Sequence, residues 1–280
     1  WSKAKNILIL IFAFLNVFLF VSTKAFHEKV GVDGEEAVST AALILSNNGV
    51  VLECDIPSYN KDTGILEYEV SVLNRSKIVK TLMGVEYSTS NFFSAGKEPL
   101  RKDSAELTFN GSGGFVYKNL VPTESVDVKD IEGAKEYLKS LLGSMDLSMN
   151  GFVLDEASSR INGDGVGQLI YIKKYKDYYL YDSIIKMVIG TKGLTYLEYC
   201  DKNVKSIGEP MKIISAYQIL LKNYNQEGVV ITSIDYGFKN YKPEPGAEGI
   251  DTFVWRIGTK GGKIEYYKAY TGESIGNLAQ

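Results

Sequence analysis

The sequence predicts an α+β fold, in which an N-terminal transmembrane helix precedes a mainly antiparallel sheet with helices packed on one face. Two observations support this prediction. An almost uninterrupted apolar run extends from Ile7 to Val21. Three later stretches space their apolar residues as a helix does, and each is followed by a polar break and β-rich sequence. Since strands do not alternate with helices one by one, a parallel α/β sheet is not expected.

The composition suits a folded chain that does not bind nucleic acid. With 45% hydrophobic and 12% aromatic residues, the 280 residues can bury a substantial core. The chain carries 31 Lys and Arg against 34 Asp and Glu, and its formal net charge is -3. Basic residues are concentrated near the N-terminus, so the remainder is more acidic than the whole. Because nucleic-acid binding needs a basic patch to meet the phosphates, such a partner is not expected.

The apolar run from Ile7 to Val21 is interrupted only by Asn16 and predicts a membrane helix. A span needs about 20 residues, which the small residues on either side supply while Lys5 and Lys24 reach the headgroups. A cleaved signal peptide, with the mature chain beginning near Phe26, is the alternative, and the residues leave both open. Either way, the N-terminus is expected in the cytoplasm and the rest of the chain outside, a single-pass topology if the helix is retained.

Asn16 would place a polar amide in the middle of the bilayer. Such a group tends to find a hydrogen-bonding partner on another helix, worth about 0.5–2 kcal/mol, although a single Asn can also simply be tolerated. The residues predicted to meet a partner helix within the membrane are Ile7, Phe12, Asn16, Leu19 and Val21.

The rest of the chain repeats a pattern of one helix followed by strands. The predicted helices are Glu35 to Ser46, Ile131 to Leu142 and Ile213 to Tyr224. The strands that follow them begin at Val50, Phe152 and Val229. Further strands are predicted at 168–175, 178–181, 184–189, 194–199, 252–257 and 263–269. The chain is accordingly divided into 1–29 (tip, membrane helix and juxtamembrane segment), 30–126 (a first α+β module) and 127–280 (two helix-plus-strands repeats).

No motif indicates catalysis, a cofactor or a metal. The loop Gly111-Ser112-Gly113-Gly114 resembles a serine nucleophile loop, but the only histidine in the sequence is His27 beside the membrane segment, so a turn is the better interpretation. Asn162-Gly163-Asp164-Gly165 lacks the further acidic ligands of a calcium loop and is interpreted as a hairpin turn. Gly258 to Lys263 lacks the spacing of a phosphate-binding loop and is predicted to join two strands. The chain is therefore not expected to be an enzyme.

A Tyr- and Lys-rich run extends from Tyr171 to Tyr179. Alternating strand faces explain it, with Tyr packing across strands and Lys in water, although Tyr is also enriched at protein interfaces. Two cysteines, Cys54 and Cys200, are too few for a disulfide framework, and the sequence does not decide whether they form one bridge or none.

Several stretches resemble the YycI (WalI) proteins of Gram-positive bacteria. They are the opening Trp1-Ser2-Lys3-Ala4-Lys5-Asn6-Ile7, the strand pair around Leu107-Thr108-Phe109-Asn110-Gly111, the helix Ile214-Ser215-Ala216-Tyr217-Gln218, the strand Ile231-Thr232-Ser233-Ile234-Asp235 and the ending Phe253-Val254-Trp255-Arg256-Ile257 with Tyr266-Tyr267-Lys268-Ala269-Tyr270. The resemblance covers both ends and the middle of the chain.

This resemblance implies an accessory protein of the YycG/YycF (WalK/WalR) two-component system, with a YycH/YycI-like α+β exported part. The implied partners are a sensor histidine kinase that controls cell-wall metabolism and a YycH-like protein. The kinase would be modulated through contacts between transmembrane helices. A homodimer and the sign of the regulation are left open.

A different class of function also fits the pattern. A helix followed by antiparallel strands resembles PepSY-like domains, so the chain could be a secreted or anchored binding module of the protease-inhibitor kind. In that case a free sheet edge, not the membrane helix, would carry the function.

Overall fold

A computed structural model describes residues 34–59, 61–86, 99–110, 113–123, 126, 128–164, 166–240 and 250–275, together with Lys5, Phe12, Leu15 and Asn16. Within these residues the helices are α1 (Gly34–Asn47), α2 (Arg75–Met83), α3 (Ile131–Ser144) and α4 (Ala216–Asn223). The strands are β1 (Val51–Leu52), β2 (Leu66–Val70), β3 (Leu100–Lys102), β4 (Ala105–Asn110), β5 (Gly114–Asn119), β6 (Phe152–Leu154), β7 (Arg160–Ile161), β8 (Gly167–Tyr175), β9 (Tyr178–Gly190), β10 (Gly193–Cys200), β11 (Lys202–Ile207), β12 (Val230–Lys239), β13 (Ile250–Thr259), β14 (Lys263–Lys268) and β15 (Ser274–Ile275). The predicted α+β class is confirmed.

The three predicted helices correspond to α1, α3 and α4, and local capping explains where two of them begin. The Asp130 carboxylate accepts a hydrogen bond from the backbone N–H of Gly133 at 2.8 Å, which starts α3. Ser215 precedes α4, and its backbone N–H donates to the side chain of Gln218 at 3.1 Å. This cap places the start of α4 at Ala216, later than the predicted Ile213.

Helix α2 was not predicted. The Asn74 side chain accepts from the N–H of Lys77 at its N-terminus, and Gly84, with φ of 62°, ends it in the left-handed conformation. Both signals are present in the sequence. The helix is only nine residues long, and its buried face consists of Ile78, Val79 and Met83, which is too short a repeat to stand out.

The strands form one mixed sheet in which antiparallel pairs dominate. Its main order is β11-β2-β13-β12-β9-β10-β5-β4-β3, with β8 added to β9 and β14 to β13. Parallel pairing occurs between β1 and β12, and between β9 and β12, where Gly237 pairs with Tyr179 and Phe238 with Leu180. The β9–β12 junction joins two antiparallel halves of the sheet. Strands from both predicted regions, 30–126 and 127–280, pair with one another, as β5 with β10 and β2 with β11 show.

Each half of the sheet packs against its own pair of helices. In the half that contains β4 and β5, the helices α3 and α2 pack against Leu107 and Phe115 through Leu138, Leu142 and Ile78. In the other half, α1 and α4 cover β12 and β13 through the cluster Leu45, Ala216, Ile219, Leu220, Phe238, Phe253, Trp255 and Ile257. The side chains on the opposite side of the same strands form what we call the open face.

Strand β9 corrects one prediction. The sequence placed a break between strands at 178–181 and 184–189, but a single strand extends from Tyr178 to Gly190. The intervening residues Asp182 and Ser183 are polar because they bond to β11 and β12: the Ser183 hydroxyl accepts from the backbone N–H of Lys202 at 3.1 Å. Contacts with neighbouring strands, and not a turn, therefore explain why Asp182 and Ser183 are polar.

The predicted β7–β8 and β13–β14 turns are confirmed over their described residues, whereas residues 111 and 112 of the predicted turn Gly111 to Gly114 lie outside the described part of the chain. One lysine of the Tyr- and Lys-rich run is not where it was expected. Asn162 N–H donates to Val166 O at 2.8 Å in the β7–β8 turn, and residues 260–262 join β13 to β14. In the Tyr- and Lys-rich run, Lys174 and Lys176 are exposed as predicted. Lys173 is instead largely buried, and its ammonium donates to the Asp201 carboxylate. The negative charge of Asp201 compensates the Lys173 ammonium for the hydration that it loses on burial.

Candidate functional site

The predicted membrane-contact residues lie mostly outside the described part of the chain. Ile7, Leu19 and Val21 belong to residues that are not described, whereas Phe12 and Asn16 are helical. Phe12 is 67% exposed. The Asn16 amide donates to the Phe12 carbonyl oxygen at 2.9 Å, one helical turn away. Among the described residues, no helix has the length and apolarity needed to cross a membrane.

The open face of the sheet forms a wide groove of about 2050 Å³. Strand alternation determines which residues line it: on β13, Trp255 and Ile257 point to the helices, and Arg256 between them lines the groove. The same alternation on β10 buries Leu197 and Tyr199 under α2 and α3 and presents other side chains to the groove. The charged and aromatic members of this lining include Lys118, Arg160, Tyr181, Lys186, Tyr196, Glu198, Lys239 and Tyr266.

One row of the groove crosses five strands. The registers place Lys118 of β5 beside Tyr196 of β10, Tyr196 beside Val188 of β9, Val188 beside Gln168 of β8, and Gln168 beside Arg160 of β7. All five side chains line the groove. Because neighbouring strands are about 4.8 Å apart, the two basic residues that end the row are separated by about 19 Å along the sheet.

A buried ionic network lies at the floor of the groove, where β9, β11, β12 and β13 meet. Lys202 of β11 donates to both carboxylate oxygens of Asp251, at 2.9 and 2.8 Å, and lies 3.6 Å from Asp182. Lys239 donates to Asp182 at 2.8 Å, and the Lys202 ammonium lies 4.1 Å from the ring centre of Tyr68. Two ammonium groups thus face two carboxylates, so the network is neutral when all four side chains are charged.

Burial shapes the pKa values in this network. It raises the pKa of Asp251 to about 6, against the attraction of Lys202. Burial acts to lower the pKa of Lys202, but the charges of Asp182 and Asp251 exceed it, and the net shift is upward. For Asp182, burial is likewise outweighed, here by Lys239 and Lys202, and its pKa is lowered. Of the two carboxylates in the network, Asp251 is therefore the one more readily protonated.

A second buried charge, Arg256, lies nearby on β13. Its guanidinium bonds to Asp155 at 2.5 Å, lies 3.7 Å from Asp235 and lies 5.7 Å from the ring centre of Tyr181. The Nε of Arg256 and the hydroxyl of Tyr181 have no hydrogen-bond partner among the described residues. Burial raises the pKa of Asp235, partly offset by Arg256. Both the Arg256 Nε and the Tyr181 hydroxyl are buried beneath the surface of the groove.

The described residues contain no cluster of metal ligands, and the two cysteines do not pair with each other. No group of three or more His, Cys, Asp or Glu side chains among them is arranged to hold a metal ion. Cys200 is buried and Cys54 is partly buried, and the two do not form a disulfide bridge with each other. Burial raises the pKa of the Cys54 thiol to about 11, which disfavours the reactive thiolate.

The residues of the ionic network were not predicted from the sequence, although one signal was available. Asp251 and Arg256 are charged residues within an otherwise apolar strand, and Lys202 opens another strand. When the in-out alternation of a strand predicts that a position is buried, a charged residue at that position indicates a buried ion pair. Its partner, however, could not be read from the sequence, because Lys202 and Asp251 are far apart in the chain.

Comparisons with known proteins give one family match. A family model described as "YycI protein" matches residues 32–270. No curated protein matches.

Among solved structures, YycH from Bacillus subtilis is similar with a TM-score of 0.44 and 14% identity, covering 80% of this chain and 54% of that one. An uncharacterized protein from Eubacterium rectale ATCC 33656 is similar with a TM-score of 0.39 and 11% identity, covering 81% of this chain and 90% of that one. At this level neither structure informs on the function of the chain.

Proposed function

The chain belongs to the YycI family of non-enzymatic accessory regulators of the YycG/YycF two-component system, and we propose that it is a membrane-anchored regulator of the YycG-type sensor kinase. The observation that supports this proposal is the family match, which spans almost all of the exported part. The apolar run from Ile7 to Val21 lies just before the matched residues and supplies the anchor. A YycH-like protein is the proposed second partner.

In this proposal, the helix acts within the bilayer through Ile7, Phe12, Asn16, Leu19 and Val21. Asn16 and Phe12 are four residues apart, a spacing that places both side chains on the same face of a helix. The Asn16 amide donates to the backbone carbonyl oxygen of Phe12. An Asn amide offers two N–H donors and one carbonyl acceptor, and the bond to Phe12 uses one donor. The remaining donor and the acceptor are suited to a bond with a polar group on a neighbouring helix.

Coupling to the kinase would follow from differential packing. A helix that packs better against one kinase conformation than the other shifts their equilibrium by the difference in packing free energy. A difference of about 1.4 kcal/mol changes the ratio of the two conformations tenfold, which one interhelical hydrogen bond can supply. Such a mechanism needs no catalytic group.

The experiment is a helix replacement in cells. The segment from Ile7 to Val21 is exchanged for an unrelated apolar helix, and a matched variant of the same helix has Phe12 and Asn16 restored. The proposal requires that the plain replacement changes transcription from promoters controlled by the kinase and that the restored variant recovers at least part of the effect. Unchanged kinase output in the plain replacement would refute it.

A second experiment identifies the partner. A photoreactive residue at Asn16 is expected to capture the sensor kinase or the YycH-like protein from intact cells. A chain lacking residues 1–29 is expected to lose regulation. Full regulation by that soluble chain would instead favour the PepSY-like binding module, in which the exported part carries the function.

A further inference from the structure

The open face has a charge opposite in sign to that of the chain. Eight Lys or Arg residues and four Asp or Glu residues line the groove, whereas the chain as a whole has a net charge of -3. A basic groove on an acidic protein attracts negatively charged partners.

Not all of these positive charges are available to a ligand. Lys202, Lys239 and Arg256 are held by Asp251, Asp182 and Asp155 in the buried networks. Three of the lining cations, Lys118, Arg160 and Lys186, form no ion pair with any described residue. Lys186 is partly buried and its ammonium lies 5.6 Å from the ring centre of Tyr196, whereas Lys118 and Arg160 are exposed. They lie at the two ends of the row that crosses five strands, and Tyr196, Val188 and Gln168 lie between them.

The side chains in and beside the middle of the row determine which kind of anion can bind. Ile170, Ile184 and Val188 give this part of the groove an apolar surface, and Glu198 places a carboxylate beside the row. A polyanion with charge at every repeat would lie against that carboxylate and that apolar surface. A chain with charges only at intervals, and apolar or hydrogen-bonding groups between them, avoids both penalties.

From this arrangement we infer that the open face of the sheet binds an extended, acidic segment of a partner protein, with carboxylates contacting Lys118 and Arg160. An extended peptide rises about 3.3 Å per residue, so about six residues span the roughly 19 Å between the two cations. Successive side chains point to opposite sides, and an interval of six residues returns both carboxylates to the same side. The recognised pattern is therefore two acidic residues at positions i and i+6. This inference deepens the proposed function, since it assigns a docking surface for an exported partner.

The test uses the full chain in detergent micelles and labelled peptides of about seven residues with alternating Ser and Val between the ends. The first peptide has Glu at both ends. The second has Lys at both ends, and the third has its two Glu residues five positions apart, which directs them to opposite sides. Binding is measured by fluorescence anisotropy at low ionic strength, where exposed charge pairs are least screened.

The inference requires that the first peptide binds and that the other two bind at least tenfold more weakly. The double variant Lys118→Glu with Arg160→Glu is expected to lose the first peptide and to gain the peptide with Lys ends. Lys139→Glu, an exposed change on α3 away from the groove, is the matched control and is expected to leave binding unchanged.

Three outcomes would overturn the inference. They are no binding of the first peptide, equal binding of the peptide whose Glu residues point to opposite sides, or binding of inorganic polyphosphate that excludes the peptide. The helix replacement separates this result from the proposed function. If kinase output does not depend on the membrane helix while the groove still binds the peptide, the proposed function fails and the docking surface remains.

Discussion

Lys202 donates hydrogen bonds to both carboxylate oxygens of Asp251, at 2.9 and 2.8 Å, and both side chains are almost fully buried. The pair joins β11 to β13, and Asp182 and Lys239 extend it to β9 and β12. Buried ion pairs of this kind gain little over an apolar pair, but removal of one partner leaves an uncompensated buried charge. The consequences of this network can be measured.

The first prediction concerns Lys202→Met. We expect the free energy of unfolding at pH 8 to fall by about 3–5 kcal/mol, because Asp251 loses its buried counter-charge. Burial already raises the folded-state pKa of Asp251 from 3.8 to about 6, so folding favours its protonated form and the ionised form costs stability as the pH rises through that value. Loss of Lys202 raises this pKa further. The destabilisation should therefore be smaller at pH 5 than at pH 8, as measured by urea unfolding.

The control for this prediction is on the same strand. Lys205 pairs with Glu69 on the surface, with 54% and 63% of their side chains exposed. Lys205→Met is expected to change the free energy of unfolding by less than about 0.5 kcal/mol. Equal losses for Lys202→Met at the two pH values would show that Asp251 does not change its protonation in this range.

The second prediction concerns the junction of the two halves of the sheet. A Cβ at Gly237 would lie 2.1 Å from the carbonyl oxygen of Tyr179, its partner in the parallel β9–β12 pairing. Gly237→Ala must push the strands apart and is expected to lower the free energy of unfolding by about 1–3 kcal/mol. Gly143→Ala is the matched control: no atom lies within 4 Å of its Cβ, and the helix α3 should gain up to about 1 kcal/mol.

The third prediction concerns the contact between the sheet and the segment that precedes α4. The indole Nε1 of Trp255 donates to the carbonyl oxygen of Ile214 at 2.7 Å, and the ring is fully buried. Trp255→Phe leaves that carbonyl without its donor and a space beside the ring, and should cost about 2–4 kcal/mol by urea unfolding. Leu43→Ala changes a side chain that is 63% exposed and should cost less than about 0.5 kcal/mol. Similar losses for both would contradict the assigned core.

The fourth prediction concerns the thiols. Cys54 and Cys200 do not form a disulfide bridge, and burial raises the pKa of Cys54 to about 11. Alkylation of the native chain at pH 8 should therefore be slow at both sites, and alkylation after unfolding without reductant should modify both. Mass spectrometry distinguishes the outcomes. A chain that takes up no alkyl group after unfolding would contain the bridge that the structure does not.

Local patterns in the sequence were enough to predict much of the fold. The apolar periodicity of α3 and the cap at Asp130 depend on residues a few positions apart, as does the hairpin turn between Tyr175 and Tyr178. Such features are specified by neighbours along the chain, so the helices α1, α3 and α4 and the antiparallel hairpins were predicted near their observed positions. Helix α2 was missed because its apolar face is short, although its caps at Asn74 and Gly84 were visible.

Only part of the candidate site could be predicted from the sequence. The apolar run around Asn16 predicts a membrane helix because composition alone determines its solvent preference. The row that ends at Lys118 and Arg160 could not be predicted, because it depends on the register of five strands, and alternation gives the face of each strand without giving its neighbour.

The class of the fold, the helices with long apolar faces, the strand alternation and the family resemblance can all be read from the order of the amino acids alone. Three features depend on the assembled sheet: the contact of Lys202 with Asp251, the continuation of β9 through Asp182 and Ser183, and the placement of Lys118 and Arg160 at the two ends of one row on the open face. The two groups of features differ in how far apart in the sequence the interacting residues lie. Helix and turn preferences arise between residues close in sequence, whereas a buried ion pair between strands arises only when the packing of the whole sheet brings distant residues together.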